Sequence, residues 1–265
     1  MEFEKSQIIF AFALTFFAAL ATGIGSISAL AFRTFRPRLL AAALGLAAGV
    51  MIYVSLVEVF PEAKGLLTQL YGDKTGYWLT IFAFFTGIGL TALIDRLVPS
   101  HDDPHEIKST QTNEKHDKLM RAGLFAAAAI ALHNFPEGIA VFVSALENPS
   151  LGVSIAMAIS IHNIPEGIAV AVPIYCATKS RKLAFTLSFA SGLAQPLGAL
   201  VGFLLLSFMN AAALGTILAL TAGIMIYVAF DELLPTANKY GEHHVAVAGL
   251  IAGMAVMAIG LSLMA

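Results

Sequence analysis

Eight apolar stretches, each about twenty residues or longer, recur along this chain with short polar segments between them. They lie near 7–32, 39–60, 77–98, 121–146, 150–177, 183–208, 211–234 and 244–264. Runs of roughly 20 apolar residues are long enough to cross a bilayer as helices. The pattern therefore predicts an all-α integral membrane protein of eight transmembrane helices, with 1–265 as one domain. A polar stretch at 99–119 separates spans three and four and reads as a loop carrying His and Asp. Glycine recurs inside the runs, as in Gly45/Gly49, Gly87/Gly89 and Gly249/Gly253, which suits close helix packing in lipid. The first run has an acidic head and exceeds the length of a signal h-region, so it reads as a retained span.

Composition agrees with that pattern. Hydrophobic residues make up 58% of the chain and charged residues 12%, with a mean hydropathy of +0.82. Soluble domains carry about 25% charged residues. The net charge of −2 gives no reason to invoke nucleic acid, and the lone Cys176 excludes an internal disulfide. Basic residues set the orientation. Arg33, Arg36, Arg38, Arg96, Lys108, Lys115, Lys118, Arg121, Lys179, Arg181, Lys182 and Lys239 fall in alternate loops on one side, against Lys5, Lys64 and Lys74 on the other. Short loops rich in Lys and Arg stay cytoplasmic. The expected protein is a multi-pass cell-membrane protein with both termini outside the cytoplasm.

Two internal repeats carry the candidate chemistry. HNFPEGIAV at 133–141 and HNIPEGIAV at 162–170 share eight of nine residues on consecutive, hence antiparallel, spans. AGVMIYVSLVEVFPEA at 48–63 and AGIMIYVAFDELLPTA at 222–237 share nine of sixteen, and their spans run in opposite directions. An inverted repeat of this kind is the usual scaffold of alternating-access carriers. His133 and His162 each lie twelve residues from the polar end of their span, counted from Arg121 and Ser150. At 1.5 Å per residue that is about 18 Å deep, close to the middle of a hydrocarbon core of about 30 Å. Helical spacing stacks His133 over Glu137 and His162 over Glu166, with Asn134 and Asn163 turned aside. Pro136 and Pro165 cannot donate to the carbonyls of Leu132 and Ile161.

Charged groups at that depth need partners, at about 2.5 kcal/mol or more each. Two imidazoles and two carboxylates form a neutral set around one divalent cation, and mixed N/O ligation suits zinc while allowing iron, cobalt, manganese or cadmium. The plainer alternative is a pair of His–Glu hydrogen bonds that glue two helices. An intramembrane zinc hydrolase and a channel-like conductor or metal sensor are rival uses of a metal site, although the chain lacks an HExxH motif. Glu58 and Glu62 mark a candidate entrance, Asp231 and Glu232 a candidate exit, and His101, His105, His116, His243 and His244 could bind metal in polar segments.

With its HN-PEG pair on spans four and five, the chain resembles the ZIP (Zrt/Irt-like) family of divalent metal transporters, in its GufA/ZupT-like prokaryotic branch. The resemblance implies a 3+2+3 arrangement of spans and uptake of Zn2+ and related cations (Fe2+, Mn2+, Co2+, Cd2+) as substrate, with no catalytic cofactor. It implies a binuclear centre: one ion on His133, Glu137, His162 and Glu166, a second on Asn134, Asn163, a bridging Glu166 and Gln195. Gln195, in SGLAQPLGA, departs from the glutamate frequent in that branch and leaves the second set with little charge. The resemblance also implies that spans one, four, five and six move against spans two, three, seven and eight, the set that often forms a homodimer interface.

Overall fold

Each apolar run becomes a helix. The computed structural model describes residues 3–31, 37–97, 111–206, 210–240 and 243–264. Eight helices are long and apolar enough to span a membrane: Lys5–Ala31, Pro37–Tyr71, Asp73–Arg96, Ala126–Glu147, Pro149–Thr178, Arg181–Leu204, Ala211–Asn238 and His243–Ser262, here spans one to eight. No strand occurs among the described residues. Side-chain caps start several of them. Asn148 accepts from the amides of Ser150 and Leu151, Ser180 from Leu183, and Asn210 from Ala213. Lipid takes the place of water around the bundle, so large apolar side chains such as Trp78, Phe82, Phe85 and Ile259 point outward.

Two boundaries differ from the sequence reading. The helix of span four begins at Gln111, so the second half of the supposed 99–119 loop is helical. No proline or glycine interrupts the chain between Gln111 and Ala122, and nothing local stops the helix from extending. Span two continues through Pro61 to Tyr71 and ends at Gly72, whose φ of 80° favours glycine. Proline is accommodated because a π-turn, Ser55–Val59, precedes it, with the Phe60 amide donating to the Ser55 carbonyl. Span seven repeats the device: a π-turn at Ala229–Leu233 precedes Pro235, and the Leu234 amide donates to the Ala229 carbonyl. The long-range repeat therefore extends to an irregularity of the backbone. Ser55 Oγ ties the two copies together by donating to the Ala222 carbonyl at 2.8 Å.

Glycine decides which spans lie against each other. A Cβ on Gly25 would strike the Ile164 carbonyl and one on Gly167 the Thr22 carbonyl, so spans one and five meet backbone to backbone. The same reciprocity joins span four to span six through Gly138 against Gln195 and Gly198 against Phe135. It joins span three to span seven through Gly87 against Leu220 and Gly223 against Phe84, and span two to span eight through Gly45, Gly49, Gly249 and Gly253. Every one of these backbone contacts falls within spans one, four, five and six or within spans two, three, seven and eight. Aromatic clusters follow the same division: Phe12 contacts Phe142 and Phe203 at 4.7 and 5.8 Å in the first set, and Phe60 contacts Phe84 at 5.4 Å in the second. Between the sets, span two meets span five and span four meets span seven, and Val54, Ile155, Ile159, Leu218 and Met225 line a small cavity there.

Gly138→Ala forces its new methyl group into a backbone carbonyl that cannot swing aside, and should destabilise the protein by about 1–3 kcal/mol. Gly260→Ala, which opens onto free space, should cost nothing measurable. Thermal unfolding of the detergent-purified variants tests this; equal midpoints would contradict the packing described.

Candidate metal centre

Spans four and five run antiparallel and are continuous through Pro136 and Pro165. Their two HN-PEG segments therefore meet at one depth, and His133, Glu137, His162 and Glu166 are all buried, at 0–1% exposure. The contacts cross between helices. His133 Nε2 lies 3.1 Å from Glu166 Oε1, and His162 Nε2 lies 3.5 Å from Glu137 Oε2. The same-helix contact, His162 to Glu166, is longer at 3.9 Å. Helical spacing alone pairs each histidine with its own glutamate. The structure exchanges the partners because side chains lean toward the N-terminus of their own helix, and the two helices point in opposite directions.

These contacts form a chain, His133–Glu166–His162–Glu137, that leaves coordinating capacity unused. Glu137 Oε1, Glu166 Oε2 and His162 Nδ1 have no hydrogen-bond partner although fully buried. Buried polar atoms normally find partners, so the residues fit a cation that draws both carboxylates and both imidazoles onto itself. Two negative charges balance one divalent ion, and the N/O donor set is one that zinc accepts.

A belt of amides lies alongside. Asn134 donates to the Ser191 carbonyl at 3.3 Å, and Asn163 donates to the Ala18 carbonyl at 2.9 Å and to Gln195 Oε1 at 3.1 Å. Gln195 Nε2 donates to Asn134 Oδ1 and to Glu137 Oε2, both at 3.2 Å. The turn at Leu193, which divides span six into Arg181–Gly192 and Ala194–Leu204, presents Gln195 to spans four and five. Toward the face opposite the chain termini, Ser26 Oγ and Ser188 Oγ lie 2.6 Å apart, and Ser188 donates to the Gly167 carbonyl at 3.0 Å. Spans one, four, five and six are thus joined by polar contacts around the centre as well as by glycine.

On the side of the chain termini, the centre abuts a cavity of about 10 Å³, at the lower limit for one water. Glu137 lines it together with the apolar Val54, Val59, Ile155, Ile159, Leu218 and Met225. Toward the opposite face, Asp95, Asp231 and Glu232 bring ligand oxygens within 4.8 Å of one another. Asp231 and Glu232 belong to the π-turn of span seven, and Tyr227 Oη donates to Asp95 Oδ2 at 3.4 Å. Asp95 was missed by sequence reading; its signal is an acid placed before Arg96 at the end of an apolar run. Glu58 and Glu62 sit half-buried one turn apart on span two, at and after its π-turn. His243 and His244 are exposed at the start of span eight, with His243 Nδ1 3.1 Å from Asn238 Oδ1. His101 and His105 lie outside the described residues; His116 lies on the helix of span four, with its side chain outside them.

Comparison with known proteins agrees with this architecture. The sequence profile of a family described as "ZIP Zinc transporter" matches residues 96–260. The chain is 55% identical to "Zinc transporter ZupT" of Chlorobaculum parvum over 98% of its own length and 99% of that protein's. It is 54% identical to the protein of that name from Streptococcus mutans, over 97% and 99%, and 49% identical to that from Clostridium perfringens, over 98% of each. An eight-span helical fold, a profile covering more than half the chain and relatives matched over nearly their full length lead to one conclusion: the chain belongs to the ZIP zinc transporter family.

Proposed function

We propose that this chain carries Zn2+, and with it related divalent cations such as Fe2+, Mn2+, Co2+ and Cd2+, across the membrane into the cytoplasm, with His133, Glu137, His162 and Glu166 as the ligands of the transported ion. The observation that carries the reading is the convergence of these four buried side chains from two antiparallel spans, with Glu166 within 4 Å of both histidines. The name shared by the relatives, "Zinc transporter ZupT", supports zinc as the cargo. Membership of a transporter family sets the hydrolase reading aside.

In the proposed cycle the ion arrives past Glu58 and Glu62, on the side of the chain termini, which faces away from the cytoplasm. It exchanges water for the four ligands and leaves past Glu232, Asp231 and Asp95. A midplane site needs such flanking acids because a hydrated cation does not enter hydrocarbon unaided. The aliphatic layer around Val54, Ile155, Ile159 and Met225 favours a carrier over a continuous pore: it covers the centre on the terminal side while the acidic group lies toward the other face. Passage then requires one set of spans to shift against the other. The segregation of backbone contacts into two sets supports such a shift, since aliphatic side chains slide past one another more readily than interlocked glycine backbones.

Glu166→Ala removes the carboxylate that touches both histidines. Uptake of radiolabelled Zn2+ into proteoliposomes should fall by more than the roughly 10–100-fold that metal sites lose with a ligand's hydrogen-bond partner. Near-parental uptake at equal protein abundance would refute the ligand assignment. Protons compete with the cation for imidazole and carboxylate, so affinity must decrease as pH falls. Uptake should drop when the outer face is taken from about pH 7.5 to about 5.5, across the range where imidazole titrates; a level profile counts against histidine ligation.

A further inference from the structure

The family resemblance implies a second ion beside the first, and the side chains offered to it, besides a bridging Glu166, are three amides: Asn134, Asn163 and Gln195. Their hydrogen bonds take up two of the three amide oxygens, those of Asn134 and Gln195, and leave only Asn163 Oδ1 without a partner. The Ser191 carbonyl accepts from Asn134 Nδ2, so Asn134 turns Oδ1 toward Gln195. The Ala18 carbonyl accepts from Asn163 Nδ2, whose other hydrogen points at Gln195 Oε1. The Glu137 carboxylate accepts from Gln195 Nε2. Carbonyls only accept, and so does an ionised carboxylate. Reversing Gln195 would set oxygen against Asn134 Oδ1 and Glu137 Oε2, and nitrogen against nitrogen at Asn163. These three fixed neighbours leave its orientation no freedom.

We infer that the Gln195 amide stands where a second cation would stand: its two N–H bonds hold Asn134 Oδ1 and Glu137 Oε2 as a metal would, and the centre takes one ion at a time. This inference rests on the ligand set proposed above. Charge supports it. Glu137 and Glu166 neutralise one divalent ion, and a second ion that shared Glu166 and otherwise met neutral amides would leave two uncompensated positive charges at mid-depth, where charge is costly. Gln195 is fully buried, so neither water nor lipid headgroup can make up the difference. Gln195 is thus a positioning residue. It fixes one oxygen of Glu137, directs the unpartnered Oε1 to the cargo, and sets the stoichiometry.

Counting ions tests this. The purified full-length protein is dialysed against saturating Zn2+ and its metal measured by elemental analysis, beside a triple variant, His133→Ala, His162→Ala, Glu166→Ala. Subtraction removes ions held by the acidic group or the outlying histidines. The difference should be one ion per chain in the parent and two in Gln195→Glu, which exchanges the N–H donors for a third carboxylate. A difference of two in the parent overturns the inference and leaves the proposed ligand set intact, whereas a difference of zero overturns both. A folded Gln195→Glu protein that still binds one ion overturns the role given to Gln195. X-ray absorption at the zinc edge needs no variant. The saturated parent should show no zinc–zinc scattering at about 3.5–4 Å, the spacing of paired metal sites, and its appearance would overturn the inference.

Discussion

Two carboxylates held at mid-depth in hydrocarbon constrain everything built around them. Glu137 and Glu166 are fully buried, on helices whose remaining surface is largely apolar, and an ionised group there is tolerated only when it is paired. Pairing demands that two antiparallel helices bring their segments to one level and approach closely. The crossed contacts, His133 to Glu166 and His162 to Glu137, are the result. They make each helix depend on the other, so neither could rotate alone without stranding a carboxylate.

Close approach is the task of glycine. Spans one and five, four and six, three and seven, and two and eight each touch through reciprocal glycine–carbonyl contacts, where dispersion between backbones replaces the hydrophobic drive that lipid removes. The pairs lie wholly within one set of four spans or the other. Polar contacts around the centre, from Ala18 to Asn163 and from Ser191 to Asn134, belong to the same set as the histidines. Between the sets lies the small cavity beside Glu137, lined mainly by aliphatic side chains. Backbone-to-backbone contact is thus confined to each set of spans.

Much of this was legible in the sequence. Eight apolar runs, the duplicated HN-PEG segment and equal depths for His133 and His162 required only hydrophobic pattern and helical rise. Less accessible was anything set by the relation of one helix to another. The exchange of His–Glu partners depends on how side chains lean across an antiparallel pair, and Asp95 joins Asp231 and Glu232 only through the packing of spans three and seven. Gln195 looks like a weak ligand when read by residue type; it reads as a donor only once the carbonyls of Ser191 and Ala18 have fixed the direction of its neighbours. The helical start at Gln111 is masked by a polar composition that resembles a loop, although composition does not by itself stop a helix.

The two π-turns place an irregular backbone beside acidic residues in both halves of the molecule. Where a five-residue register returns to a four-residue one, the backbone ladder comes up one amide short, and proline at the next step withholds a further one. Both shortfalls coincide before Pro61 and again before Pro235. The main chain beside Glu58, and beside Asp231 and Glu232, therefore has fewer amide donors than a regular helix would supply. Each half of the molecule thus loosens its backbone ladder beside its own acidic residues, a symmetry that the side chains alone do not show.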